Sequence, residues 1–320
     1  MPPLLRCALC PECPPVRQRS LHAGGRSLEC RVTTYGRGRA VAMLVLGACV
    51  IGVAPILVRL SGAGPAATGF WRLVFALPLL ALPSLRSREG LPPPTRFAML
   101  AGVAFALDLS FWHYGITYTS VAKASVLANV TPIVVTAAAW IFLAQKPAPL
   151  FLVAVALSVA GGAIMAIARG TGVTGSNPFL GDALSLLTSG WYALYFFAMS
   201  AARRRQGATQ VMFWSTLTGV PFLLAAAAAL REPLVPLTAG GWLACLGLGA
   251  VHAGGQGLIA WALGRLGPAT ASVTVLVQPV VTTFLGWLLF NELLSPWQAA
   301  GAALALGGVL LAQRASPPHT

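Results

Sequence analysis

Charge is what this sequence has least of. Acidic and basic residues together make up 9% of its 320 positions, and Asp and Glu account for only 7 residues. A soluble domain carries roughly 25% charged residues, so the composition excludes a soluble domain of any size. The phosphate-cradling loop G-x-x-x-x-G-K-[ST] is missing as well, so nothing points to ATP hydrolysis at a P-loop. Carboxylates within apolar stretches are few, and no His/Asp cluster exists. That argues against an enzyme acting on lipid with a paired acid and base. Cysteine is scarce beyond the first 30 residues, where Cys7, Cys10 and Cys13 have the C-x-x-C-x-x-C spacing of metal ligands. No second Cys or His pair follows at a zinc-ribbon distance, so no metal and no cofactor is expected. The net charge of +14 invites a nucleic-acid reading. The basic residues, however, sit between hydrophobic runs and not on an aromatic-interleaved surface, so no nucleic-acid partner is expected.

Apolar residues are abundant, at 57% of the chain, and the mean hydropathy is +0.78. They form ten runs, at 40–60, 66–85, 95–116, 120–144, 148–168, 180–201, 209–230, 240–263, 268–290 and 296–313. Each approaches the roughly 20 residues that span a hydrocarbon core as a helix. Barrel strands would need alternating polarity, which is absent. Breakers such as Gly62-Ala-Gly-Pro65, Pro92-Pro93-Pro94, Lys146-Pro147 and Gly267-Pro268 separate the runs. The expected fold is an all-α integral membrane protein with ten transmembrane helices. Residues 1–39, rich in Arg, Pro and Cys, read as a disordered tail or as a start assigned too early, with the protein opening near Met43; residues 315–320 read as a short C-terminal tail.

Two stretches repeat. Tyr118–Trp140 and Arg265–Trp287 align with Pro132 on Pro279 and Trp140 on Trp287, an offset of 147 residues. Upstream, Phe70-Trp71-Arg72 with Pro78 falls on Phe213-Trp214-Ser215 with Pro221, an offset of 143. The repeats occupy 40–168 and 180–314. Cationic residues set the orientation. With the N-terminus inside, the inner segments hold the seven Arg before residue 40 and then Arg86, Arg88, Arg96, Lys146, Arg203, Arg204, Arg205, Arg265 and Arg314; the outer ends hold only Arg59, Arg169 and Arg231. Both termini are therefore expected in the cytoplasm of a bacterium, the chain crossing its inner (plasma) membrane repeatedly. Five spans per repeat is an odd number, so the second repeat enters the membrane from the opposite side. Two inverted five-helix repeats place a site near the midplane, between the halves.

Several segments resemble the drug/metabolite transporter superfamily and its paired EamA-type repeats. They are G-P-A-A-T-G-F-W-R (Gly64 to Arg72), Y-T-S-V-A-K-A (Tyr118 to Ala124) leading to Pro132, A-x-L-G-x-L-G-P-A (Ala262 to Ala269) leading to Pro279, and N-E-x-x-S-P-W-Q-x-x-G (Asn291 to Gly301). The resemblance covers residues 40–314. It implies a cavity lined by the third, fourth, eighth and ninth spans, and movement of small organic metabolites, often outward, without ATP. One departure is Gln145, which stands where this family usually ends the fourth span with an acid, as Glu292 ends the ninth here. The fifth and tenth spans are associated in the family with dimer contacts. Ala154, Ser158 and Gly162 on the fifth, and Gly301 and Ala305 on the tenth, have the small-residue spacing that permits close helix approach, within one chain as readily as between two. Monomer and homodimer both stay open.

Ionisable groups inside a span are expensive unless paired or hydrated, which makes them candidates for function. Asp108 lies midway along the third span with Trp112 at i+4 on its face; its carboxylate suits a cationic group or a proton, or an ion pair with Lys123 or Arg72. His113 lies farther round the helix. Lys123, at the start of the fourth span, pairs Asp108, attracts an anion or snorkels to the interface. Arg72 reads as a structural or headgroup anchor. His252 and Gln256 share a face of the glycine-rich eighth span. Pro132 and Pro279 each free a backbone carbonyl, and they read as hinges with a hydrogen-bonding residue nearby: Asn129, Thr131, Thr274 or Gln278. Trp140 and Trp287 read as interface anchors. The expected function is a secondary transporter that exports or exchanges a small metabolite, such as an amino acid, with protons as the candidate coupling ion and membrane lipid as its surroundings. A membrane solute sensor without transport is the alternative.

Overall fold

The computed structural model describes residues 29–86, 90–119, 121–168, 176–290 and 295–315. Every regular element among them is helical. The first apolar run forms α1 (Glu29–Ile51) and α2 (Ala54–Ser61); the second and third form α3 (Pro65–Arg86) and α4 (Arg96–Tyr118). The fourth is split into α5 (Val121–Ala128) and α6 (Thr131–Leu143), and the fifth is α7 (Pro149–Ala168). There follow α8 (Pro178–Arg203), α9 (Ala208–Ala229) and an eighth run made of α10 (Ala239–Val251), a π turn (His252–Gln256) and α11 (Gly257–Leu263). The ninth run is split into α12 (Pro268–Thr274) and α13 (Val277–Phe290), and α14 (Pro296–Ala315) closes the chain. Among the described residues, eight helical stretches are long and apolar enough to cross a membrane. The runs at 180–201 and 296–313 form helices of 26 and 20 residues, α8 and α14, that are not among those eight.

Residues 36–320 belong to one compact unit, which contains the helix packing and the interior site. Helix α1 starts at Glu29, ahead of the expected residue 40. Once a helix is nucleated, each added residue gains a hydrogen bond, so polar residues without apolar periodicity extend it. Cys7, Cys10, Cys13, Arg88, Arg169 and Glu292 lie outside the described residues, and so does the side chain of Lys123 on α5.

Both proline positions break their helices at matching points. Pro132 is the second residue of α6, and Pro279 lies in the first turn of α13. There a missing N–H leaves no hydrogen bond unmade. The carbonyls that the prolines free are not left as ligands. Ala128 O accepts the Thr131 hydroxyl at 2.8 Å, and Val275 O accepts the Gln278 N–H at 2.9 Å.

Small residues set the closest helix contacts. Helices α7 and α14 pack antiparallel: a Cβ on Gly161 would sit 2.4 Å from Ala305 N, and one on Gly308 would sit 2.6 Å from Ser158 N. Gly161 and Gly308 are 147 residues apart, and so are Ser158 and Ala305, whose hydroxyl and carbonyl lie 3.5 Å apart. The small-residue stripe thus packs within one chain. Gly162, however, faces the Asn129 side chain. Gly161→Ala should destabilise the protein by about 1–3 kcal/mol, the usual range for forced overpacking. Gly307→Ala, whose Cβ meets nothing within 4 Å, should be neutral. Thermal unfolding in detergent, followed by circular dichroism, reads the difference.

The matched tryptophans act as clasps. Trp71 on α3 donates its indole N–H to Leu234 O, in the loop after α9, at 2.7 Å. Trp214 on α9 donates to Pro92 O, in the loop after α3, at 2.8 Å. Because α3 and α9 run antiparallel, with Gly69 on Leu223 and Gly219 on Leu73, the two clasps sit at opposite ends of the pair. At the Trp71 end, Glu232 accepts the Ala67 N–H at 2.9 Å and also takes the Tyr114 hydroxyl. At the Trp214 end, amides serve instead: Gln206 donates to Pro93 O and Gln210 to Gly90 O.

Candidate functional site

The interior between these helices is unusually polar. Phe105, one turn before Asp108 on α4, is its hub. The Arg72 guanidinium lies 5.5 Å from the Phe105 ring centre. The His252 ring lies 5.1 Å from it on one side and the Tyr195 ring 5.2 Å on another. Tyr195 stacks on Tyr192 at 5.8 Å, with only 6° between their planes. The Tyr192 hydroxyl lies beside the amides of Gln256 and Gln278. Asp108 is within electrostatic reach of Arg72 and of both tyrosines. Five elements therefore meet here: α3, α4, α8, the π turn and α13.

Local sequence explains the placement. The π turn reads H-A-G-G-Q. Its glycines let the chain widen by one residue, and such bulges recur at functional sites. Gly255 lets the turn press on α1, where a Cβ on Gly47 would meet Gly255 O at 2.7 Å. The widening leaves His252 and Gln256 both buried. Thr216 of α9 hydrogen-bonds His252 Nε2 at 3.0 Å, which fixes the ring's orientation.

Burying polar atoms without partners is costly, at about 1–3 kcal/mol each. Among the described residues, Arg72 Nε, both ring nitrogens of His113, the Tyr195 hydroxyl, His252 Nδ1 and Gln256 Oε1 are buried without a hydrogen-bond partner. So many in one region is the pattern of a site that water or a solute completes. Arg72 and Asp108, a cation and a carboxylate, are both buried within electrostatic reach of one another.

Of the residues singled out in the sequence, the structure gathers Asp108, His113, His252, Gln256 and Gln278. Trp112 is half-buried against His113, with ring centres 5.1 Å apart. Three point elsewhere. Asn129 covers Gly162 of α7. Thr131, at the start of α6, donates to Ala128 O, the last carbonyl of α5. Thr274 donates to Thr270 O and takes the Gln313 amide of α14. A hydroxyl in a helix readily bonds a carbonyl three or four residues back, which withdraws it from a cavity. Arg72, expected as a structural or headgroup anchor, is 7% exposed, which leaves the structural alternative and not the headgroup one. Tyr192, Tyr195 and Thr216 were not anticipated. The two tyrosines, three residues apart on one helix face, were the available signal. Trp140 and Trp287 are about half exposed, as interface anchors are.

Known proteins carry the same pattern. Residues 38–167 and 179–313 each match the EamA-like transporter family. An uncharacterized transporter of Archaeoglobus fulgidus is 26% identical over 287 residues, which cover 89% of this chain and 98% of that one. A protein of known crystal structure superposes with a TM-score of 0.73 at 17% identity, over 86% of this chain and 97% of its own. That last likeness is one of fold.

Proposed function

The chain belongs to the EamA-like transporter family, and from that premise we propose that this multi-pass membrane protein is a secondary transporter for a small zwitterionic metabolite, such as an amino acid, working by alternating access. The observation that carries the reading is the group of buried, partnerless polar atoms around Arg72 and Asp108, supplied by helices of both halves. The carboxylate of the solute would meet Arg72, its ammonium Asp108, and its side chain the faces of Phe105, Tyr192 and Tyr195.

The ten-span, inverted-repeat topology is part of the proposal. Three features support it. Helices equivalent in sequence, α7 with α14 and α3 with α9, contact one another antiparallel, as inversion requires. The contacts recur at matching positions: Gly102 meets Ser215 and Thr218 of α9, and Gly249, 147 residues on, meets Phe75 and Ala76 of α3. The helix breaks before Pro132 and Pro279 also coincide, and they are the proposed hinges. On this reading both termini are cytoplasmic in a bacterial inner membrane. The Trp71 clasp closes the outer end and the Trp214 clasp the inner end.

Flux into proteoliposomes tests the function. Purified protein should move labelled amino acids down a gradient, with saturation and with competition among them. Binding of an amino acid without flux would make the protein a sensor and end the transporter reading.

A further inference from the structure

Away from the buried polar cluster, a cavity of about 550 Å³ opens where α4 begins and where α6, α8 and α11 end. Phe97, Leu100, Leu143 and Phe197 form much of its wall, and Arg204 and Arg265 stand at its rim. No acid is found among the described lining residues. Arg265 is held in place by its own helix: the guanidinium lies 3.7 Å from the Trp261 ring centre and donates to Trp261 O at 3.3 Å. Burial, and after it the neighbouring Arg39, pulls the Arg265 pKa below the ordinary arginine value. The cations here crowd one another, with no anion among the described lining residues. On the Leu143 side the wall continues into the outward face of α6, where Ile141 and Phe142 are 71% and 81% exposed. The cavity thus joins an apolar outer surface at one side and a basic rim at the other.

We infer that this cavity binds an anionic phospholipid, its phosphate on Arg204 and Arg265 and one acyl chain between Phe97, Leu100, Leu143 and Phe197. A basic pocket between helices at the end facing the anionic leaflet is how such headgroups are held. The apolar wall favours a lipid over a free anion, which would gain nothing from four hydrophobic side chains. The inference rests on the membrane placement and on no step of a transport cycle.

Native mass spectrometry of the detergent-solubilised protein, with phosphatidylglycerol and phosphatidylcholine added in equal amounts, tests it without measuring flux. The wild type should retain phosphatidylglycerol preferentially. Arg204→Gln/Arg265→Gln should lose roughly twenty-five-fold in that retention, at about fivefold for each cation. Circular dichroism and gel filtration check that the variant is folded. If it is not, Arg204→Gln alone carries the test, with an expected loss of about fivefold. Equal retention of the two lipids, or unchanged retention in a folded variant, overturns the inference. So does displacement of the lipid by millimolar glycerol 3-phosphate, which would make the cavity a site for soluble anions.

Discussion

Asp108→Asn should leave a folded protein whose solute movement no longer responds to a pH gradient. Asp108 is the one carboxylate among the described residues buried in the helical interior; Asp182 and Glu232 stand near helix ends. If it carries the proton, imposing one pH unit across a proteoliposome should raise solute accumulation by the wild type by up to tenfold, since one proton moved down that gradient supplies about 1.4 kcal/mol. The amide keeps the shape of the carboxyl and cannot carry the charge. The variant should therefore give the same accumulation with and without the gradient, while solute exchange at equal pH persists. A wild-type pH response in Asp108→Asn would remove the residue from coupling.

The second large effect is expected at Arg72. Arg72→Leu removes the positive charge that faces Asp108 and leaves polar neighbours buried around an apolar side chain. Removing one member of a buried charged pair typically costs about 3–5 kcal/mol. For a solute carboxylate that loses its partner, this means an apparent affinity lower by a hundredfold or more. Arg72→Lys should recover part of it, because the ammonium keeps the charge but loses the planar fork. The double change Arg72→Leu/Asp108→Asn separates stability from recognition. It should regain thermal stability over Arg72→Leu, since no unpaired charge stays buried, and yet not regain binding. Recovery of both together would show that Arg72 acts only through folding. Isothermal binding and melting curves on the same preparations distinguish these outcomes.

The extent to which the site was legible depends on the energetics of each residue type. Asp108, His252 and Gln256 stand out in the sequence because a polar side chain in a hydrocarbon-spanning run has no solvent to turn to. Gln278 was legible because it repeats the position before a proline. Arg72 carried the same signal but lies near the start of its run, where a long cationic side chain can equally reach the interface; only tertiary packing turns it inward. Thr131 and Thr274 carry a similar polar signal, but their hydroxyls bond groups on their own or a neighbouring helix, which periodicity does not record. Tyr192 and Tyr195 escaped notice since an aromatic pair at helical spacing is ordinary packing until its hydroxyls are seen to face charge. Of the fold, the runs and their breaks could be read from hydropathy and proline. The clasps could not: the repeat of Phe-Trp was visible, but each indole's acceptor belongs to a loop more than a hundred residues away.

Those distant acceptors have a consequence for biogenesis. As the ribosome releases the chain, Trp71 enters the bilayer long before Leu234 exists, and its indole N–H must wait for a partner. The polypeptide made up to residue 168 therefore holds its helices without the bond that will fasten them, and commitment comes only when the later loop arrives. Splitting the gene between the halves should yield two fragments that are each degraded when produced alone and that persist when co-expressed.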